Sequence, residues 1–172
     1  MVNKGSTPNN KTLSSIIAAI NNIGAPSANY VYYRGDLCYN MTGGWRHPTH
    51  STYYGLSFNS DHIYLCTYNS TFPMNIMSEG QINFVNYNTI TIKAKITSDD
   101  SSKRSFAVYG CLSSHYDLDN CAIAVTIGTY TTYHADETNV TMTFSLSSVN
   151  SSYYLRMQAV LCNVRIYEIL LS

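Results

Sequence analysis

Residues 28–172 predict an all-β fold, an antiparallel β-sandwich of jelly-roll-like form, and the residues before them predict a short N-terminal helix. Three observations carry this reading. The apolar period along the body of the chain is two. In Thr89-Ile90-Thr91-Ile92-Lys93-Ala94-Lys95-Ile96 and in Val140-Thr141-Met142-Thr143-Phe144-Ser145-Leu146, apolar and polar residues alternate, as in a strand with one face on a core and one in water. The composition favours strands and turns: only 12% of residues are charged, against about 25% in a typical domain, and 16 tyrosines stand among abundant Ser, Thr and Asn. Turn signals such as Asn59-Ser60-Asp61 and Ser98-Asp99-Asp100-Ser101 recur at short intervals with no helical pattern between them, which argues against a parallel α/β sheet. At 172 residues the chain suits one core, since single cores are usual up to roughly 250 residues.

The elements follow in order. Residues 1–11 are polar and hold Gly5 and Pro8, so they read as an extended arm. Over residues 12–24 the period changes: Leu13, Ile16, Ile20 and Ile23 recur at 3-4-3 spacing, Asn10 or Thr12 stands ready to cap, and Gly24 and Pro26 end the helix. About three turns of helix are marginal alone in water, so this stripe must pack on a partner. Either it packs on its own sandwich, or it forms a small parallel bundle, for which isoleucine at both core positions leans towards three strands. Leu13, Ile16, Ile20 and Ile23 are therefore the candidate oligomerisation residues, and a homotrimer is the expected assembly. Within the sandwich domain, strands are expected at residues 30–33, 53–58, 63–68, 89–96, 106–112, 122–127, 140–146, 153–161 and 164–171.

The formal net charge is zero and no basic cluster exceeds Lys103-Arg104, which argues against a nucleic-acid partner. No apolar run approaches the ~20 residues that span a bilayer, so no membrane insertion is expected. The opening Met-Val-Asn-Lys-Gly-Ser-Thr-Pro lacks the apolar core of a signal peptide, and synthesis in the cytoplasm is expected. Cys38, Cys66, Cys111, Cys121 and Cys162 show no metal-type spacing. Cys66 and Cys162 lie inside apolar strand patterns and read as buried thiols; a bridge between Cys111 and Cys121 across one loop is the alternative to free thiols there.

Catalysis finds little support. A glycosidase needs two carboxyl groups across a cleft, yet most of the ten acidic residues lie in turn-like places, and there is no nucleophile elbow, P-loop or dinucleotide fingerprint. No cofactor is expected. The pair His47 and His50 reads as a solvated loop, and Asp117, Asp119 and Asn120 read as turn chemistry; ligation at a symmetry axis, or a calcium site, are the sharper alternatives. No metal is expected at either place.

Three segments together resemble a known family. Gly35-Asp36-Leu37-Cys38 with Thr42-Gly43-Gly44-Trp45, the stretch from Phe84 to Lys93, and the ending Ser152-Tyr153-Tyr154-Leu155-Arg156 with Val164-Arg165-Ile166-Tyr167-Glu168-Ile169 resemble the C-terminal jelly-roll domains of phage tail, baseplate and fibre proteins. The resemblance covers residues ~30–172 with loose motifs, none of them catalytic. It implies a virion structural protein of the tail-fibre or receptor-binding type, with a carbohydrate-binding-module-like sandwich. The arm of residues 1–11 would dock to another virion protein, and the partner outside the virion would be a host cell-surface glycan. Two alternatives stand beside it: a capsid decoration or head-fibre protein anchored by that arm, and a stand-alone carbohydrate-binding module.

The residues themselves point to one glycan site. Tyr32, Tyr33, Tyr39, Trp45, Tyr53 and Tyr54 crowd the first third of the domain, close to Gly43, Gly44 and His47. Flat rings cover the apolar face of a sugar while polar loop groups read its hydroxyls. Candidate ligand residues are Tyr53, Tyr54, Trp45, Gly43, Gly44 and His47; the competing reading, strongest for Trp45, is that these rings fill the sandwich.

Overall fold

The computed structural model describes residues 29–37, 44–46, 55–67, 73–98, 104–113 and 121–172. The arm of residues 1–11 and the helix of residues 12–24, with Leu13, Ile16, Ile20 and Ile23, lie outside them. Among the described residues every regular element is a strand, and two antiparallel sheets face each other. The first sheet holds β1 (Tyr30–Tyr33), β2 (Asp36–Leu37), β4 (Gly55–Phe58), β5 (Ile63–Cys66), β7 (Thr89–Ser98), β10 (Thr138–Ser145) and β12 (Cys162–Leu171). The second runs in the order β3 (Trp45–Arg46), β6 (Met74–Asn83), β11 (Ser152–Val160), β8 (Ser105–Cys111), β9 (Ile123–Tyr130). From β6 onward every connection crosses from one sheet to the other except the β8–β9 hairpin. Leu161, at φ 49°, makes the corner between β11 and β12.

β12 is the spine of the first sheet. One of its edges pairs with β7 from Cys162 to Leu171; the other is shared, residues 163–166 pairing with β5 and residues 168–170 with β1. The β7–β10 pair keeps an unbroken register from Ile96↔Thr138 to Thr89↔Ser145. This register turns Ile90, Ile92, Ala94 and Ile96 inward, all buried, beside buried Met142 and half-buried Val140 and Phe144. Lys93, Thr141 and Thr143 are exposed and Thr89 and Thr91 are half-buried, so the alternation read from the sequence holds. Val140 and Phe144 are wetter than expected because β10 is the last strand of its sheet.

Several elements differ from expectation, among them the short strands β2 and β3, which were not anticipated. The strand expected at residues 53–58 is described only as Gly55–Phe58, with Tyr53 and Tyr54 outside the described residues. β6 was not anticipated: Met74, Asn75, Ile76, Met77 and Ser78 are all buried, so the first half of this ten-residue strand is covered on both faces and shows no alternation to read. Cys66, Cys111, Cys121 and Cys162 are buried free thiols.

Candidate functional site

The outer face of the first sheet carries a groove of about 520 Å³, within the range of about 300–1,000 Å³ common for ligand sites. Two backbone irregularities shape it. Tyr33 pairs with Asp36 around the two-residue turn Arg34–Gly35, both at positive φ (43° and 96°), the geometry such a tight hairpin demands. Gly35 is required twice over, because a Cβ there would lie 2.2 Å from the Ser60 carbonyl oxygen. Arg34, a non-glycine residue in the left-handed region, is held there by its N–H donating to the Tyr167 carbonyl at 2.8 Å. That carbonyl belongs to the second irregularity, a bulge between Ile166 and Glu168 that gives Tyr167 no ladder partner on β7.

Register then brings charges together. Glu168 stands opposite Lys93 on β7 and opposite Tyr33 on β1. Its carboxylate, on a residue only 6% exposed, lies 2.7 Å from Lys93 Nζ and 3.8 Å from Arg34 Nε. The hydrogen bond to Glu168, and then its negative charge, hold the Lys93 ammonium above its ordinary range. Burial, followed by the same negative charge, raises the Tyr30 phenol. A second carboxylate repeats the pattern alongside: Glu137 lies 3.6 Å from Lys95 Nζ and is ion-paired with Arg165. Seven charged residues (Arg34, Asp61, Lys93, Lys95, Glu137, Arg165 and Glu168) thus gather on this face, out of ten basic and ten acidic in the whole chain.

Aromatic rings border these charges. Tyr30 and Tyr33 meet edge to face at 5.0 Å, Arg34 lies 5.8 Å from the Tyr33 ring centre, and Arg165 lies 5.3 Å from that of Tyr64. His62 tilts against Tyr167 at 5.5 Å. The Asn59 side-chain amide donates to His62 Nε2 at 3.0 Å, which leaves the ring proton on Nδ1, 2.6 Å from Asp61 Oδ1. The face therefore offers fixed carboxylate acceptors, ammonium and guanidinium donors, and ring surfaces within one groove. That set suits hydrogen bonding to vicinal hydroxyls.

The residues expected from the sequence lie elsewhere. Trp45 is half-buried on β3, at the edge of the second sheet, opposite Ser78, and packs against the main core; its indole nitrogen is buried with no hydrogen-bond partner among the described residues. The N–H of Gly44 donates to Glu79 Oε2 at 3.0 Å, and the Glu79 N–H donates back to the Gly44 carbonyl at 2.9 Å. Gly43, His47, Tyr53 and Tyr54 lie outside the described residues. The groove residues were passed over because each looks unremarked alone. The available signal was charge on the wet positions of strands, Lys93 and Lys95 on one and Arg165 on another, in a chain with so few charges.

No family model matches the chain, and no curated protein matches it in sequence. Solved structures match it in fold. A family 29 carbohydrate-binding module carrying an arginine-to-alanine change, studied to probe ligand recognition, superposes with a TM-score of 0.50 at 7% identity, covering 83% of this chain and 89% of that one. The same module with a lysine changed to alanine, complexed with cellulohexaose, gives 0.50 at 8% identity, with 83% and 87% covered. Another family 29 module, from Piromyces equi, is 12% identical over 82% of this chain and 87% of its own, with a TM-score of 0.45. Nothing in these matches links the chain to the phage tail proteins expected from the sequence. Likeness at such identities is one of fold: the chain is a two-sheet antiparallel β-sandwich, similar in fold to the two modules that superpose with a TM-score of 0.50.

Proposed function

We propose that the chain is a non-catalytic carbohydrate-binding domain whose glycan lies in the groove over the first sheet. The observation that carries this reading is the groove itself. It is a cleft of ligand size lined by Arg34, Lys93, Lys95, Tyr167 and the carboxylates of Asp61 and Glu168, with Glu137 and Arg165 ion-paired beside Lys95. The fold is consistent with this reading, since the matched structures are carbohydrate-binding modules, one of them complexed with cellulohexaose. A glycan array followed by calorimetry on the best ligand tests it. Tyr167→Ala and Lys95→Ala should weaken binding with little loss of stability. Binding lost instead in Tyr53→Ala, Tyr54→Ala or Trp45→Phe would move the site to the aromatic residues singled out from the sequence. A wild type that recognises no glycan would leave a purely structural role as the better reading.

The setting proposed for this domain is a virion, as a homotrimer held by residues 12–24 and docked through residues 1–11. Its support is the sequence resemblance of the segments around Gly35, Phe84 and Tyr153 to phage tail and baseplate domains. Light scattering should give about three times the monomer mass of 19.2 kDa; a monomer at micromolar concentration would remove the trimer.

A further inference from the structure

The outer face of the second sheet, on the far side of the molecule from the groove, holds a small cluster separate from the main core. Its buried members are Met77, Cys111 and Cys121, at 0%, 0% and 6% exposure, with Tyr109 and Tyr154 partly buried against them. Only five cysteines and six methionines occur in the chain, so an all-sulfur cluster is not a product of composition. The three side chains arrive from different elements: Met77 from β6, Cys111 from the end of β8, and Cys121 from just ahead of β9. Cys121 is the common neighbour. Its Sγ lies 3.8 Å from Met77 Sδ and 3.2 Å from the Ser113 carbonyl oxygen, and Cys111 is buried in the same cluster.

Three sulfurs around one metal ion at bonds of about 2.3 Å stand about 4 Å apart in a trigonal plane, so the Cys121–Met77 spacing of 3.8 Å already suits a shared ion. Two thiolates and a thioether are soft ligands, the kind that select copper(I). Charge favours a monovalent ion as well. Two thiolates with one such ion carry a net −1, and the Arg156 guanidinium, on a residue 4% exposed, acts on Cys111 from the same face. The neighbouring β11 register sets this up, with Arg156 opposite Met77 and Tyr154 opposite Cys111.

We propose that Met77, Cys111 and Cys121 form a binding site for a soft monovalent metal ion of the copper(I) kind. Binding forms two sulfur–metal bonds from thiolates and one from the thioether, and it releases two protons, one from each thiol, to water. No electron is transferred.

The test is an anaerobic titration of the intact protein with copper(I) against a chromophoric copper(I) chelator, with thermal melting as a second readout. One equivalent should bind and raise the melting temperature. Cys111→Ser and Cys121→Ser should each lose that equivalent, while Cys66→Ser should keep it. Met77→Leu preserves the packing, and its affinity should fall by at least the roughly 10–100-fold typical of losing an outer-shell partner. Wild-type copper binding unchanged in Cys121→Ser would overturn the proposal. So would a wild type that takes up no copper(I) but closes a Cys111–Cys121 disulfide in air, seen as a loss of two hydrogens in the intact mass.

Discussion

Phe144 of β10 lies against the backbone of Gly128 of β9: a Cβ on Gly128 would stand 2.0 Å from Phe144 Cδ1 and 2.4 Å from Cγ. The two strands belong to different sheets, so this is where the sandwich closes on that side. Gly128→Ala drives a methyl into a ring that the core already holds, and overpacking of this kind costs ~1–3 kcal/mol. Urea melts should show that loss, and Phe144→Leu should recover part of it in the double variant. Additive losses would mean the ring moves aside freely.

Ile92 and Thr91 give the test of register. Ile92 is fully buried, opposite Met142 and Ile169, whereas Thr91 faces outward and shares a hydroxyl contact of 3.2 Å with Thr143. Ile92→Ala should cost ~2–5 kcal/mol. Thr91→Ala should cost no more than the ~0.5–1.5 kcal/mol of an ordinary hydrogen bond. Similar costs for the two would contradict the inward assignment.

Lys93→Ala leaves the Glu168 carboxylate, on a residue 6% exposed, with Arg34 at 3.8 Å as its remaining ion-pair partner among the described residues. Stranding a charged acceptor in this way costs ~1–3 kcal/mol, and adding Glu168→Gln should return most of it. The pH dependence has a definite sign. Lys93 ionises above its ordinary 10.5 when folded, so its contribution is whole below pH 10.5 and fades as pH rises beyond that. A chemical-denaturation midpoint in Lys93→Ala equal to that of wild type would show the pair to be energetically idle.

The thiol of Cys111 sets a second alkaline limit. Its ordinary value of 9.0 is raised to about 12, chiefly by burial and then by the hydrogen bond with Cys121. The unfolded chain ionises first, so stability is whole below pH 9.0 and is lost as pH climbs towards about 12. Cys111→Ala should flatten that part of the stability profile, measured in the metal-free protein. Reaction of the native protein with a thiol reagent at neutral pH should be slow at this position and become fast in urea.

Much of the fold was legible because a half-buried strand writes its environment into alternate residues. Ile90, Ile92 and Ile96 could each be assigned to the core from their neighbours alone. So could the wet side that holds Thr91 and Lys93. β6 was not legible, since Met74 through Ser78 are covered on both faces and alternation disappears when neither face is wet. The aromatic density read from the sequence included Trp45, which packs on the core from the edge strand of the second sheet; crowding along the chain does not say which side of a strand a ring takes.

By itself, then, the sequence determined an antiparallel sandwich, the inward residues of its regular strands and the burial of Cys66 and Cys162. Those properties follow from local preference and from the free energy of withdrawing one side chain at a time from water. Only the tertiary structure decided that Glu168 meets Lys93 and Arg34, that Glu137 gathers Lys95 and Arg165, and that Met77 and Cys121 bring their sulfurs within 3.8 Å. Such meetings depend on register between strands far apart in the chain. Register is set by the summed burial along whole strands and by bulges such as the one at Tyr167, and neither quantity is carried by the residues that finally touch.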